Sequence, residues 1–469
     1  MRTAQLLNYT RDAWLAGDGR LAELTSAIDG SAVATTGSGG VDFGAMLSHA
    51  RTVGGPALRQ LTFHQRARMV KALGLAIMAR KEELYELNYL TGATRRDGWI
   101  DIEGGAGTLF SFSSKGRREL PDGFVLLDGP LEGLSKNGTF VGQHIYTPLQ
   151  GAAVHINAFN FPVWGMLEKL APTLLAGVPA IVKPASSTAY LCEAAFRVMI
   201  EAEVLPPGAI QLIVGGVGDL FDHLTGQDVV SFTGSASTAL KLRSHAVVQR
   251  ESVKFVAEQD SLNASLLGPD AAPGTPEFDL FVKEVVTEMT VKAGQKCTAI
   301  RRAMAPPAYL DAVEAAIRDR LESLQVGDPR DQQSRMGALV SLAQRDDVRG
   351  QIAKLVAAGA RIVSGNPDAS PGVTGGAFLE PVLLRTDDPW TSTAVHDVEA
   401  FGPVSTIMPY RDLDDAIALA NRGMGSLALS LFTHSPDAAR DFVRGAAAYH
   451  GRMLVIDRTN AAESTGHGS

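Results

Sequence analysis

Apolar and charged positions alternate at helical spacing across residues 64–92, with Met69, Leu73, Ile77 and Leu84 on one face. That spacing predicts amphipathic helix. The first 110 residues read as mostly helical, and glycine patches at residues 37–40 and 104–107 read as turns. From about residue 150 the pattern changes. Short apolar runs at Ala153–Ile156, Pro179–Val182, Ile210–Val214 and Val229–Thr233 predict buried strands, with helices over Trp164–Ala176 and Thr188–Val204. This alternation predicts an α/β fold with a parallel sheet covered by helices. A second such region follows Glu258: a helix over Phe278–Ala293, then strands at Ala360–Val363, Val404–Met408, Leu427–Phe432 and Met453–Ile456. Phe124–Leu127 and Thr139–Tyr146 read as extended. Asn137-Gly138 between them predicts a hairpin, because both residues tolerate positive φ. A hairpin projecting from an α/β unit suits an oligomerisation arm.

Composition narrows the function classes. Charged residues make up 20% and the formal net charge is -8, which argues against a nucleic-acid partner. No apolar run is long enough for a membrane span and the N-terminus lacks a secretory apolar region, so a cytoplasmic protein is expected. Two cysteines make no disulfide framework, and the ten histidines show no metal-binding spacing.

Of the two cysteines, Cys192 falls inside a helical stretch and reads as structural. Cys297 sits in Ala-Gly-Gln-Lys-Cys-Thr on a glycine loop, where a thiolate can act as nucleophile. Lys296 and Arg301 are the nearby cations. Glu258 ends the run Val-Lys-Phe-Val-Ala and is a candidate general base. Asn160, before Phe161-Pro162, is a candidate oxyanion donor. Lys183 closes a strand, where open α/β sheets bind ligands. Phe232-Thr233-Gly234-Ser235 is a strand, a glycine turn and a helix cap, a geometry that favours phosphate. Thiolate, carboxylate and amide together point to acyl chemistry on a carbonyl.

In order, Asn-Phe-Pro, Lys-Pro, Phe-Thr-Gly-Ser, the glutamate, Gly-Gln-Lys-Cys and Glu399-Ala-Phe401-Gly-Pro resemble the aldehyde dehydrogenase superfamily. The resemblance implies a Rossmann-type dinucleotide-binding domain (1–120 and 148–258), an oligomerisation hairpin (121–147), a catalytic domain (259–446) and the start of a C-terminally truncated segment (447–469). It implies Cys297 as nucleophile, Glu258 as base, Asn160 as oxyanion donor and Lys169 as a supporting lysine. Its cofactor set is Ile156, Asn157, Lys183, Ser186, Gly218, Phe232, Gly234, Ser235, Glu399 and Phe401. NADP is the expected cofactor, with NAD as the alternative, because Ser186 stands where NAD-preferring relatives often carry a glutamate. The stretches 155–162, 165–172, 292–302 and 463–469 are similar to the aldehyde dehydrogenase domain of the phenylacetate-degradation ring-opening protein. That narrower resemblance implies a CoA-linked semialdehyde substrate of the 3-oxo-5,6-dehydrosuberyl type. A 3,4-dehydroadipyl-CoA semialdehyde, or a catalytically silent relative, is the alternative. A homo-oligomer is expected.

Overall fold

The structure, a computed structural model, describes residues 4–423 and 425–468. The first residues of the N-terminal stretch and Ser469, the last of the 463–469 stretch, lie outside the described residues. The chain forms two compact units. One comprises Met1–Thr25, Ala32–Asn88 and Gly98–Gln259, the other Ser26–Ser31, Tyr89–Asp97 and Asp260–Ser469.

The first unit is built on a seven-stranded sheet in the order Lys254–Glu258, Val229–Thr233, Ala153–Ile156, Ala180–Lys183, Ile210–Leu212, Leu7–Thr10, Ala13–Ala16. The first five strands are parallel, and the last two join antiparallel at the edge. Ala153–Ile156 pairs with Ala180–Lys183 on one side and Val229–Thr233 on the other. Strand order reverses there, so the carboxyl ends of these strands flank a ligand-binding position. Beneath lie Val154, Ile181, Val230, Met46 and Leu220, all fully buried.

The second unit holds another seven-stranded sheet, ordered Arg361–Ser364, Val382–Arg385, Val404–Pro409, Arg302–Ala305, Ala264–Leu267, Ser426–Phe432, His450–Ile456. All pairs are parallel except the first. The helix Pro276–Thr290 packs on one face through Phe281, whose ring meets Phe432 edge-on at 5.6 Å.

Three expectations need correction. Most of the first 110 residues are helical as expected, but only from residue 43 on: four short strands between Leu7 and Thr36 come before. Their alternation is short and half exposed, so little periodicity marks them. Residues 104–107 are helical, within Trp99–Gly104 and Gly105–Glu119. They permit a close helix approach, since a Cβ at Gly104 would strike the Trp164 ring. The helix expected to run to Ala293 ends at Thr290, because Lys292 and Ala293 both adopt positive φ (54° and 51°).

The hairpin pairs Leu126–Gly133 with Val141–Tyr146, and Gly138 turns with φ 65°. Its apolar residues face outward: Leu131 is 63% and Phe140 64% exposed. Among the described residues no helix is long and apolar enough to cross a membrane.

Candidate functional site

In the first unit, the carboxyl ends of adjacent strands present Ile156, Lys183, Thr233 and Glu258. Asn160 is buried in the turn that follows Ile156. That turn is fixed by the start of the helix Pro162–Leu175. Asp101, itself buried, accepts from the Val163 N–H at 3.0 Å and the Trp164 N–H at 2.8 Å. Two first-turn N–H groups that have no intrahelical partner are thereby satisfied.

Lys169 lies on that helix. Its Nζ donates to the Ile156 carbonyl at 3.2 Å and to Asn157 Oδ1 at 2.9 Å. Burial pushes it down to about 8, opposed by Glu168 and Glu258. His155 sits against the same lysine, pushed down to about 3 by burial and donating or accepting with Thr173 Oγ1 at 3.1 Å. Glu168 is a residue the sequence reading missed. Its carboxylate takes the Trp164 indole N–H at 3.1 Å, and burial with Glu258 nearby raises it to about 7. The signal was present: two adjacent charges, Glu168-Lys169, interrupt a helix whose other inner residues are apolar.

The residues expected to hold a cofactor lie at strand ends and helix starts of the first unit. Lys183 is half-buried at its strand end. Ser186 is exposed and opens the short 3-10 turn Ser186–Thr188, while Thr188 is the N-cap of the next helix. Ser235 is the N-cap of Ala236–Arg243, accepting from the Thr238 N–H at 3.3 Å. Gly234 donates its N–H to the Glu258 carbonyl at 3.1 Å. Phe232 is buried and stacks on Phe255 at 6.5 Å. Gly218 has φ 45° and packs so closely on Phe43 that a Cβ would clash. Buried Thr233 Oγ1 and Asn157 Nδ2 have no hydrogen-bond partner. Unsatisfied polar atoms at strand ends fit a polar ligand such as a nucleotide.

In the second unit, Cys297 is half-buried on a constrained loop. Lys292 and Ala293 turn left-handed, an unfavourable conformation for residues with a Cβ, and the surroundings hold it. Asp97 accepts the Lys292 N–H at 2.7 Å, and Thr91 accepts from its Nζ at 2.7 Å. Gln295 ties the loop to Val340 and back to Lys292. Asn263 donates to the Cys297 carbonyl at 2.8 Å. Of the two cations near Cys297 in sequence, Lys296 is taken up by Glu288 at 2.6 Å, whereas Arg301 interacts electrostatically with Cys297. Cys192, by contrast, is fully buried, with its thiol on the Pro162 carbonyl, as a structural cysteine would be.

Glu399 lies against Arg301 at 3.5 Å and accepts from the Ser261 N–H at 3.3 Å. Burial raises it to about 6 against the pull of Arg301. Its buried Oε1 has no hydrogen-bond partner, which suits a ligand hydroxyl. Phe401 carries its ring 5.3 Å from the Arg301 guanidinium.

The aldehyde dehydrogenase family profile matches residues 14–465. The chain belongs to the aldehyde dehydrogenase family. It is 45% identical over 469 residues to "3,4-dehydroadipyl-CoA semialdehyde dehydrogenase" of Aromatoleum evansii, covering 99% of this chain and 91% of that protein. It is 50% identical over 135 residues to "Protein MaoC" of Klebsiella aerogenes, covering 29% of this chain and 39% of that one. In fold it matches betaine aldehyde dehydrogenase from Staphylococcus aureus in complex with NAD+, with a TM-score of 0.85 and 23% identity, over 97% of this chain and 87% of that one. A putative aldehyde dehydrogenase from Burkholderia cenocepacia matches with a TM-score of 0.84 and 21% identity, over 96% and 89%. As an aldehyde dehydrogenase, the chain is a nicotinamide-dependent aldehyde oxidoreductase. The expected fold class, with its cofactor and catalytic α/β regions, is borne out.

Proposed function

We propose that this aldehyde dehydrogenase oxidises a CoA-linked semialdehyde of the 3,4-dehydroadipyl type to the carboxylic acid. The observation that carries this reading is the similarity to the Aromatoleum evansii protein, which extends over nearly the whole chain. It favours the dehydroadipyl type over the dehydrosuberyl type that the shorter motif stretches suggested.

In this reading the Cys297 thiolate attacks the aldehyde carbon. The Asn160 amide and the Cys297 backbone N–H hold the oxyanion of the resulting thiohemiacetal. A nicotinamide cofactor, when bound, would supply the acceptor for the hydride lost as the Cys297 thiohemiacetal becomes a thioester. Glu258 then takes a proton from water so that the thioester is hydrolysed. Lys169, tied to Asn157, and Glu168 set the charge around Glu258. Lys183, Ser186 and the Ser235 helix start would hold the adenosine side of the cofactor, and Glu399 with Phe401 the nicotinamide ribose side. Ile156, Asn157, Gly218, Phe232 and Gly234 shape that binding surface. NADP is the proposed cofactor, since Ser186 is exposed, short and uncharged. The outward apolar face of the hairpin supports a homo-oligomer.

The test is nicotinamide reduction with a dehydroadipyl-CoA semialdehyde, a dehydrosuberyl-CoA semialdehyde and a panel of free aldehydes. The highest kcat/KM is expected with the first. A free aldehyde at the top of the panel would overturn the CoA-linked reading. Cys297→Ala is expected to abolish turnover and leave cofactor binding intact. Retained turnover would overturn the nucleophile assignment.

A further inference from the structure

One side chain in the second unit joins two loops. Arg301 is buried, and its Nη1 donates to the Gly402 carbonyl at 2.8 Å. Its Nη2 donates to the Gly294 carbonyl at 2.9 Å and the Lys296 carbonyl at 3.3 Å. The guanidinium therefore grips the strand of loop leading into Cys297 with one nitrogen and the Glu399–Gly402 loop with the other. Its Nε faces Glu399 at 3.5 Å, too long for a hydrogen bond, and its plane lies near the Phe401 ring. The two loops are also in direct contact, since a Cβ on Gly294 would strike the Gly402 carbonyl.

We propose that Arg301 is a positioning residue that locks the Cys297 loop to the Glu399–Phe401 loop and shares one positive charge between the Cys297 thiolate and the Glu399 carboxylate. This rests on the reading of Cys297 as nucleophile and Glu399 as a cofactor-side residue. The planar guanidinium fork makes several hydrogen bonds in fixed directions, which an ammonium cannot, and so it can hold both loops at once. Burial disfavours the charged form of Arg301, and Glu399 foremost, then Glu288 and Cys297, favour it, so by reciprocity Arg301 favours these anions. Among the described residues, the charged groups beside the cluster include Glu288, which is paired with Lys296, and Asp260, which opposes ionisation of Glu399. A ligand that engages Glu399 thus changes how much of the guanidinium's field the thiolate feels. Cofactor binding and thiol reactivity become linked through one residue.

The experiment reads the pH dependence of Cys297 alkylation by iodoacetamide in the full chain, without cofactor or aldehyde, with the modified residue located by mass spectrometry. Arg301→Gln is expected to move the midpoint up by about one pH unit, the scale of losing one nearby opposite charge. Glu399→Gln is expected to move it down, because the carboxylate nearest the guanidinium no longer competes with the thiolate for its field. Arg301→Lys keeps the charge and loses the fork, so the midpoint stays near wild type while the cofactor KM rises severalfold. Identical midpoints in all four proteins, or shifts in the same direction for Arg301→Gln and Glu399→Gln, would overturn the proposal. If Arg301→Gln fails to fold by circular dichroism, Glu399→Gln and Arg301→Lys carry the test. The alkylation readout needs no aldehyde. A failed substrate assignment therefore leaves it untouched, and an unshifted midpoint with full semialdehyde turnover removes Arg301 alone.

Discussion

Lys169 Nζ lies 2.9 Å from Asn157 Oδ1, and the residue before it, Glu168, is held near neutrality by burial beside Glu258. This places two groups with displaced titrations on one helical turn. The folded pKa of Glu168, about 7, is above its ordinary 4.5, so the folded state binds that proton more tightly. Its contribution to stability is present below about 4.5 and is lost as pH rises through 7. Lys169 is the converse base: pushed from 10.5 to about 8, it costs stability when protonated, and that cost fades as pH rises from 8 to 10.5. Glu168→Gln is therefore expected to raise the urea midpoint relative to wild type more at pH 8 than at pH 5. A gap independent of pH would contradict the burial argument.

Glu258→Gln is expected to give one burst of reduced cofactor followed by little turnover. Hydride transfer precedes the step that needs the base. Stopped-flow absorbance checks this. Full steady-state turnover would make Glu258 structural, and a missing burst would place its role before hydride transfer.

Asn160→Ala is expected to lower kcat by roughly a hundredfold or more, the scale of one oxyanion donor. Steady-state kinetics separates the readings: a change confined to KM would make Asn160 a binding or turn residue.

Ser186 is exposed beside the strand-end Lys183, and Thr188, not Ser186, is the N-cap of the following helix. Ser186→Glu is expected to weaken NADP far more than NAD, since a carboxylate repels a 2′-phosphate. The ratio of kcat/KM values for the two cofactors measures it. A wild type that already prefers NAD would refute the premise.

Replacing Phe140 and Ile145 together by serine is expected to shift the protein to smaller species in analytical ultracentrifugation, with the far-ultraviolet spectrum unchanged. Unaltered sedimentation would place the subunit contact elsewhere.

Much of this site was legible because its residues stand at element ends. Asn160, Lys183, Glu258 and Ser235 each follow an apolar run whose period names the element, and Val229–Thr233 and Ala153–Ile156 fall on the expected boundaries. What escaped the sequence was set by contacts far along the chain. The left-handed turn at Lys292-Ala293 depends on Asp97, almost two hundred residues earlier, and no local propensity favours it. Arg301 looked equivalent to Lys296 until the fold directed one to Glu288 and the other to Glu399. Glycines 104 and 105 looked like a turn because their use, close packing against Trp164, lies on another helix. The edge strands near the N-terminus were too short and too exposed to show a period.

The hairpin of residues 126–146 has a consequence for how the protein is handled. Leu127, Leu131, Leu134, Phe140, Ile145 and Tyr146 all point to water in the single chain. If copies pair through this hairpin as proposed, dilution presents an adhesive ribbon to whatever else is in solution. Vessel walls, detergents and unrelated chains with free strand edges then compete with the cognate copy for it, and enzyme lost at nanomolar concentration would be lost through this ribbon before the cores unfold.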